Sequence, residues 1–422
     1  MRRVAVTGIG VVSPVGADRE SFWSSLTAGR SGIGPITLFD ASTFPVRIGG
    51  EVRGIDPQDF ALRFPEAASD RDRKVMLALL ACDEALADSG LAAAELCHAL
   101  LHVGVGLETI CLDDFTCPAQ AADMSQAMAE SFLAQSPRNH GRAIQTPLDR
   151  IAVLLGDRHG FLAGRYTNCS ACAAGTQVIG EAWQMLRQGE AELALAGGAD
   201  SMLNPLGLGG FSLLRVLSAE NDAPQRACRP FDATREGTVL GEGAAFVVLE
   251  LLDRARARGA MLYAEVLGYG SSLDAFAVTD PEPCGRGAVE AMRRALHSAG
   301  LGCQDIDCVN AHATGTPKND IVETAAIKEA CGDRAYQIPV HAVKSMTGHL
   351  IAASGAVEAA AAALTISRRI VPPTINLVRP DPQCDLDYVP LVARPFAGDT
   401  VLSNSFGFGG QNATLILGRC GA

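Results

Sequence analysis

Cys172 stands where a strand-like run, Phe161 to Asn168, gives way to the small residues Ala171-Cys172-Ala173-Ala174-Gly175 and then to a helical face of Val178, Ile179, Ala182, Met185 and Leu186. A thiol at the start of a helix meets the positive end of the macrodipole and unpaired backbone N–H groups, and both favour thiolate, the nucleophilic form. Its small neighbours would leave it accessible. Two plainer readings stand beside that one. In a chain with 13 Cys, a Cys at a helix start is commonly a buried, inert thiol. Cys169-Ser170-Ala171-Cys172 also has the CxxC spacing shared by redox and zinc sites, although no second CxxC completes a zinc set.

A catalytic thiol commonly needs an imidazole brought in from elsewhere in the chain. Two of the eight His occupy distinctive settings. His312 lies in Asn310-Ala311-His312-Ala313-Thr314-Gly315-Thr316-Pro317, a strand end breaking into a Thr/Gly/Pro loop of the kind that displays functional groups. His349 ends Lys344-Ser345-Met346-Thr347-Gly348-His349, a polar loop before an Ala-rich helix. A third candidate is the tract Asn404-Ser405-Phe406-Gly407-Phe408-Gly409-Gly410, whose glycines allow a close backbone approach so that N–H groups could cradle an oxyanion; the alternative is a tight turn between strands. Gly8-Ile9-Gly10-Val11-Val12-Ser13 only approximates a dinucleotide fingerprint, since Ser13 replaces the third glycine and no acidic residue clearly ends a following strand.

The elements that must position these residues occur twice, and similarity at a long offset points to duplicated architecture. Arg3 to Gly10 and Ala264 to Gly270 both read as a strand entering a Gly-x-Gly turn. Val75, Leu79, Cys82 and Leu86 form a helical face ending near Gly90; Val289, Met292 and Leu296 form another ending near Gly300, and both glycines suit a helix C-cap. Ala173-Ala174-Gly175 is echoed by Ala352-Ala353-Ser354-Gly355, and Gly241-Glu242-Gly243 before a strand by Gly407 to Gly410 before another. The polar, Arg-rich stretch Asp253 to Gly259 separates the copies, which sets halves at 1–255 and 256–422, each an α/β unit of alternating strands and helices.

Composition bounds what such a molecule does. At 422 residues, 48% hydrophobic and 19% charged, the chain has ample core and is not a disordered or fibrous protein. The net charge of −12, without a run of Lys or Arg, argues against nucleic acid. The longest apolar stretch, Leu350 to Ile366, contains Glu358 and reads as a buried helix and not a membrane span. Scattered cysteines, odd in number, fit a reducing cytoplasm with most of them as buried thiols.

Taken together, Thr7 to Pro14, Ala171 to Gly175, Ala196-Gly197-Gly198-Ala199, Arg229-Pro230-Phe231-Asp232, Asn310-Ala311-His312, Lys344 to His349 and Asn404 to Gly410 resemble the β-ketoacyl-[acyl carrier protein] synthases of the type II elongating kind. The motifs keep the family's order and span nearly the whole chain. The resemblance implies a thiolase-like α/β fold, two duplicated halves in a five-layer αβαβα core, as a homodimer or as a heterodimer with a chain-length-factor-like subunit. It implies that Cys172 accepts an acyl group from a carrier protein, that His312 and His349 assist decarboxylation of malonyl-carrier protein, and that Lys344 and Glu358 order the site. It further implies an oxyanion hole from the N–H groups of Cys172 and Phe408, Phe408 as a gate, support from Thr314 and Thr316, an acyl pocket bounded by Leu107 and Phe211, and carrier docking on Arg73, Lys74 and Arg215. No metal and no separate cofactor is implied, since phosphopantetheine arrives on the carrier.

Between Glu108 and Thr167 the chain departs from the family pattern, in a region that in relatives shapes the acyl pocket and dimer interface. That divergence favours specialised polyketide or polyene synthesis over housekeeping fatty-acid synthesis. Competing readings are a condensing-fold acyltransferase or decarboxylase without elongation, a non-catalytic partner subunit, and a degradative thiolase. The intact Cys172, His312, His349 and Lys344 weigh against the last two.

Overall fold

β1, Val4–Val12, is buried at every position, as befits a strand of apolar and small residues covered on both faces. It lies at the middle of a ten-stranded sheet. A computed structural model describes residues 2–108 and 146–421, so most of the divergent stretch named above lies outside the described residues.

Beside β1 the first half holds β2 (Leu100–Val105), β3 (Gly164–Asn168), β4 (Leu193–Ser201) and β5 (Glu242–Leu251). The second half holds β6 (Ala264–Leu273), β7 (Cys308–Asn310), β8 (Val340–His341), β9 (Thr400–Gly407) and β10 (Gln411–Gly418). The first half runs in the order β1-β5-β4-β2-β3 and the second β6-β10-β9-β7-β8, with the same sequence of antiparallel and parallel pairings. The halves join where β1 meets β6 in a short antiparallel ladder, Val4 to Val6 against Val266 to Ala264. The sequence separates two α/β units; the structure hydrogen-bonds their sheets into one, because the strand that opens each half lies at its sheet's inner edge.

Helices α1 (Arg73–Ser89) and α2 (Arg150–His159) cover the outer face of the first half. Between the two halves of the sheet lies α3 (Ala174–Gln188), and α4 (Pro205–Leu213) follows β4. α5 (Arg286–Ala299) and α6 (Pro317–Cys331) cover the second half, and α7 (Ser354–Arg368) lies against α3. The result is five layers, with one apolar cluster running through the centre on both sides of α3 and α7 and one more under the outer helices of each half. α7 is buried from Ser354 to Ile366, and its alanines on every side suit a helix with no solvent face.

The Gly-x-Gly runs have a structural purpose. A Cβ at Gly8 or Gly10 would collide with the Ala85 or Ala81 carbonyl of α1, and one at Gly268 or Gly270 with Ala295 or Ala291 of α5. Close helix-to-strand packing, and not a dinucleotide, explains them. Gly90 (φ 66°) and Gly300 (φ 68°) end α1 and α5 in the left-handed conformation. At the centre, Gly175 of α3 faces the backbone of Ala352 and Ala356, while Gly355 of α7 faces the hydroxyl and backbone of Thr176 and the hydroxyl of Ser405.

Cys303 and Cys331 are joined by a disulfide, their Cα atoms 5.2 Å apart, because the end of α6 returns beside the turn at Cys303. This departs from the expectation of scattered thiols. Among the described residues no helix is long and apolar enough to cross a membrane.

Candidate active site

Cys172 sits in the tight turn Ala171–Ala173 ahead of α3, and the residue before it, Ala171, is held at φ 50°. Its side chain is buried at 4% exposure. Backbone N–H groups of Cys172 itself and of Phe408 reach the sulfur, and His349 Nε2 lies 3.1 Å from Sγ. Burial pushes the thiol up to about 11, against the pull of the Phe408 N–H and the Lys344 charge. This shift runs against the thiolate expected at the helix start, because burial disfavours the charged form more than these N–H groups and the Lys344 charge favour it.

His349 approaches the sulfur with its orientation set from behind. The backbone N–H of Ile351 can only donate, and it does so to His349 Nδ1 at 3.3 Å. That places the ring proton on Nε2, facing Cys172. Ser354 Oγ lies 2.9 Å from the same Nδ1 and accepts the Leu350 N–H. His312 is held in the same sense: Lys344 Nζ, a donor, lies 3.2 Å from its Nδ1, leaving Nε2–H free. The rings stand 5.4 Å apart and nearly perpendicular. Burial, then the nearby Lys344 charge, keeps both imidazoles neutral by lowering their pKa well below the usual value.

Lys344 is itself ion-paired with the buried Glu358, whose carboxyl burial pushes up to about 7. Glu323, on α6, accepts the N–H groups of His312 and Ala313 at 2.8 Å each, and so pins a loop in which Ala313 adopts φ 43°.

Cys172, His312 and His349 open onto one cavity of about 290 Å³, also lined by Phe211, Thr314, Thr316, Phe406 and Phe408. The Thr314 and Thr316 hydroxyls are 3.0 Å apart on one wall. Phe408 stacks on Phe211 with ring centroids 6.0 Å apart. Arg215, exposed, stands at the mouth.

A buried thiol facing two neutral imidazole donors is equipped for acyl transfer coupled to stabilisation of an enolate oxygen. Comparison with known proteins agrees. Residues 1–255 match the model of the β-ketoacyl synthase N-terminal domain, and residues 263–378 that of its C-terminal domain. The chain belongs to the β-ketoacyl synthase family. It is therefore an acyltransferase of the condensing kind. It is 41% identical to 3-oxoacyl-[acyl-carrier-protein] synthase 2 of Synechocystis sp., over 99% of this chain and 98% of the relative. It is 40% identical to the tetracenomycin polyketide synthase ketoacyl synthase alpha subunit of Streptomyces glaucescens, over 99% of this chain and 97% of the relative. The solved ishigamide ketosynthase/chain length factor superposes with a TM-score of 0.83 at 35% identity, over 100% of both chains.

Not every residue carried over from the family pattern stands where the resemblance puts it. Arg73, only partly exposed, is engaged within the chain: its guanidinium bonds the fully buried Glu242 carboxylate at 2.7 and 2.8 Å and the Val52 carbonyl at 2.6 Å. Lys74 is buried, paired with Asp72 at 2.7 Å and donating to the Leu107 carbonyl at 2.7 Å. Both cations are held by neighbours that would otherwise be uncompensated charge; Lys74 is buried and not presented at the surface, and Arg73 is partly exposed but ion-paired, which speaks against the docking role expected of them. Leu107 is 64% exposed and is not among the cavity's lining residues. Cys169 is exposed and contacts the Gly106 carbonyl, away from Cys172, so the CxxC spacing makes no pair here. Glu323, Ser354 and Asp200 escaped the sequence reading. Glu323 and Asp200 act on the site through backbone N–H groups, which leave no mark in residue type or spacing, and Ser354 reaches His349 Nδ1 by a hydroxyl at a helix start, where Ser is common for capping alone.

Proposed function

We propose that this chain catalyses decarboxylative Claisen condensation, joining an acyl group on Cys172 to malonyl-carrier protein to give 3-ketoacyl-carrier protein. The reading is carried by one observation: His349 Nε2–H and His312 Nε2–H share a cavity with the Cys172 thiol, each with its Nδ1 already occupied.

In the first half-reaction Sγ attacks the carrier-bound thioester carbonyl. The N–H groups of Cys172 and Phe408 hold the oxyanion, the carbon–sulfur bond to the carrier arm breaks, and the thiol proton leaves with the departing carrier thiol. In the second, malonyl-carrier protein loses carbon dioxide, and the electron pair of that carbon–carbon bond passes into an enolate whose oxygen accepts from both Nε2–H groups. A donor of this kind contributes about 3 kcal/mol to the transition state. The enolate carbon then attacks the acyl-Cys172 carbonyl, the carbon–sulfur bond breaks, and Cys172 regains a proton from solvent. Lys344, paired with Glu358, keeps the His312 tautomer. Thr314 and Thr316 line the path of the pantetheine arm, which arrives on the carrier and is substrate, not a resident cofactor. Phe408 and Phe211 gate the acyl side, and Arg215 meets the acidic carrier.

The relatives support either pathway at nearly equal identity, 41% for a 3-oxoacyl synthase and 40% for a polyketide alpha subunit. The unusual 108–167 sequence favours polyketide or polyene synthesis, the many unpaired cysteines among the described residues favour the cytoplasm, and the internal echoes favour halves dividing at 255/256. A relative named as an alpha subunit and a solved ketosynthase/chain length factor also support a heterodimeric arrangement.

Intact-protein mass spectrometry of wild type and Cys172→Ala, mixed with acyl-carrier proteins and then malonyl-carrier protein, tests the proposal. Wild type should gain an acyl mass that the variant lacks, then discharge it as a 3-ketoacyl-carrier product two carbons longer. Failure of Cys172 to acylate with any donor would sink the reading.

A further inference from the structure

Behind the nucleophile, where β4 ends, Asp200 is fully buried. Its Oδ1 accepts the N–H of Ser201 at 2.8 Å and its Oδ2 accepts the N–H of Ala352 at 3.0 Å. Gly106 lies flat against this carboxylate, since a Cβ there would strike both oxygens. The group is therefore wedged, with one oxygen on its own strand and the other on the turn that leads into α7.

That turn, Ile351–Ala353, starts with Ile351 at φ 45°, a conformation that a β-branched residue adopts only under constraint. The Ile351 N–H is the donor that occupies His349 Nδ1. The chain of contacts runs from Asp200 to Ala352 N–H, through the strained turn to Ile351 N–H, and on to the imidazole facing Cys172 at 3.1 Å.

We propose that Asp200 is a positioning residue for decarboxylation: by anchoring the Ala352 N–H it holds the Ile351 turn, keeps an N–H donor on His349 Nδ1, and so keeps the ring proton on Nε2 and aimed into the cavity. Residue chemistry explains why an acid stands there. Two fixed backbone donors converge on the spot, and a carboxylate accepts at both oxygens with no hydrogen of its own. An apolar side chain would strand two buried donors, whereas Asn still offers one oxygen. Cys172 acylation draws on the N–H groups of Cys172 and Phe408, which this chain of contacts does not reach; the Asp200 charge acts on the thiol only by raising its pKa, so its removal slows decarboxylation without slowing acylation.

The inference rests on the condensation reading, and the experiment separates the two. Wild type, Asp200→Ala and Asp200→Asn are compared for the rate of Cys172 acylation, for carbon dioxide release from malonyl-carrier protein, and for thermal midpoint. In Asp200→Ala, carbon dioxide release should fall about tenfold or more while acylation stays within about threefold, and Asp200→Asn should recover most of the loss. If Asp200→Ala does not fold, Gly106→Ala displaces the same carboxylate without deleting it and must show the same split. Equal losses in both steps, or no loss in a folded variant, overturn the role of Asp200. If wild type releases no carbon dioxide, the condensation reading fails, and this one falls with it.

Discussion

A thiol with its pKa near 11 gives up its proton during acyl transfer and not before it. At pH 7 only about one molecule in ten thousand carries thiolate at such a site. Because the pKa is raised, the reactive fraction grows with pH throughout the neutral and mildly alkaline range. Alkylation of Cys172 by iodoacetamide should therefore accelerate about tenfold per pH unit from pH 7 to 9, levelling only near 11. A plateau below pH 8 would contradict it and restore the helix-dipole picture. Cys172, His312 and His349 are legible in the sequence because their small and polar neighbours are adjacent in the chain. The sign of the thiol shift is not, since burial comes from Met202, Leu208, Ile351 and other residues remote in sequence. Glu323 and Asp200 are hidden for the same reason.

Elements decide which cations are free. α1 begins at Asp72, whose side chain caps Lys74 N–H, and that start turns Arg73 and Lys74 inward on Glu242, Asp72 and Leu107. Arg215, beyond α4 and held at φ 57°, is exposed instead. Two variants separate these fates. Arg73→Ala strands the Glu242 carboxylate and should cost about 3 kcal/mol of stability, read as a lowered thermal midpoint, with KM for the carrier protein unchanged. Arg215→Glu should leave the midpoint alone and raise KM for the carrier several-fold. The reverse pattern would return Arg73 to docking. The helix α1 is legible from its apolar spacing and from Gly90. Its buried ion pairs are not, because the partner of Arg73 lies 169 residues away in sequence.

At the scale of the molecule, Cys172 comes from the first half while His312, Lys344, His349 and Phe408 come from the second, so the site exists only while the halves are docked. The internal echoes make the duplication legible; the β1–β6 ladder is not, because two matching strand openings carry no sign that they pair with each other. With one sheet and a shared central cluster, calorimetric unfolding should show a single transition whose van't Hoff and calorimetric enthalpies agree. Two resolved transitions would mean that the halves are stable apart. The crossing of α3 and α7 at Gly175 and Gly355 carries a further consequence, for inheritance. Gly175 meets mainly the main chain at the start of α7, whereas Gly355 meets the Thr176 hydroxyl and main chain and the Ser405 hydroxyl, so the crossing is matched to small side chains contributed by both halves. A half taken from one relative can cross a half taken from another at this point where both glycines, Thr176 and Ser405 are kept together, so recombination at the centre of the molecule is restricted to relatives that share those small residues.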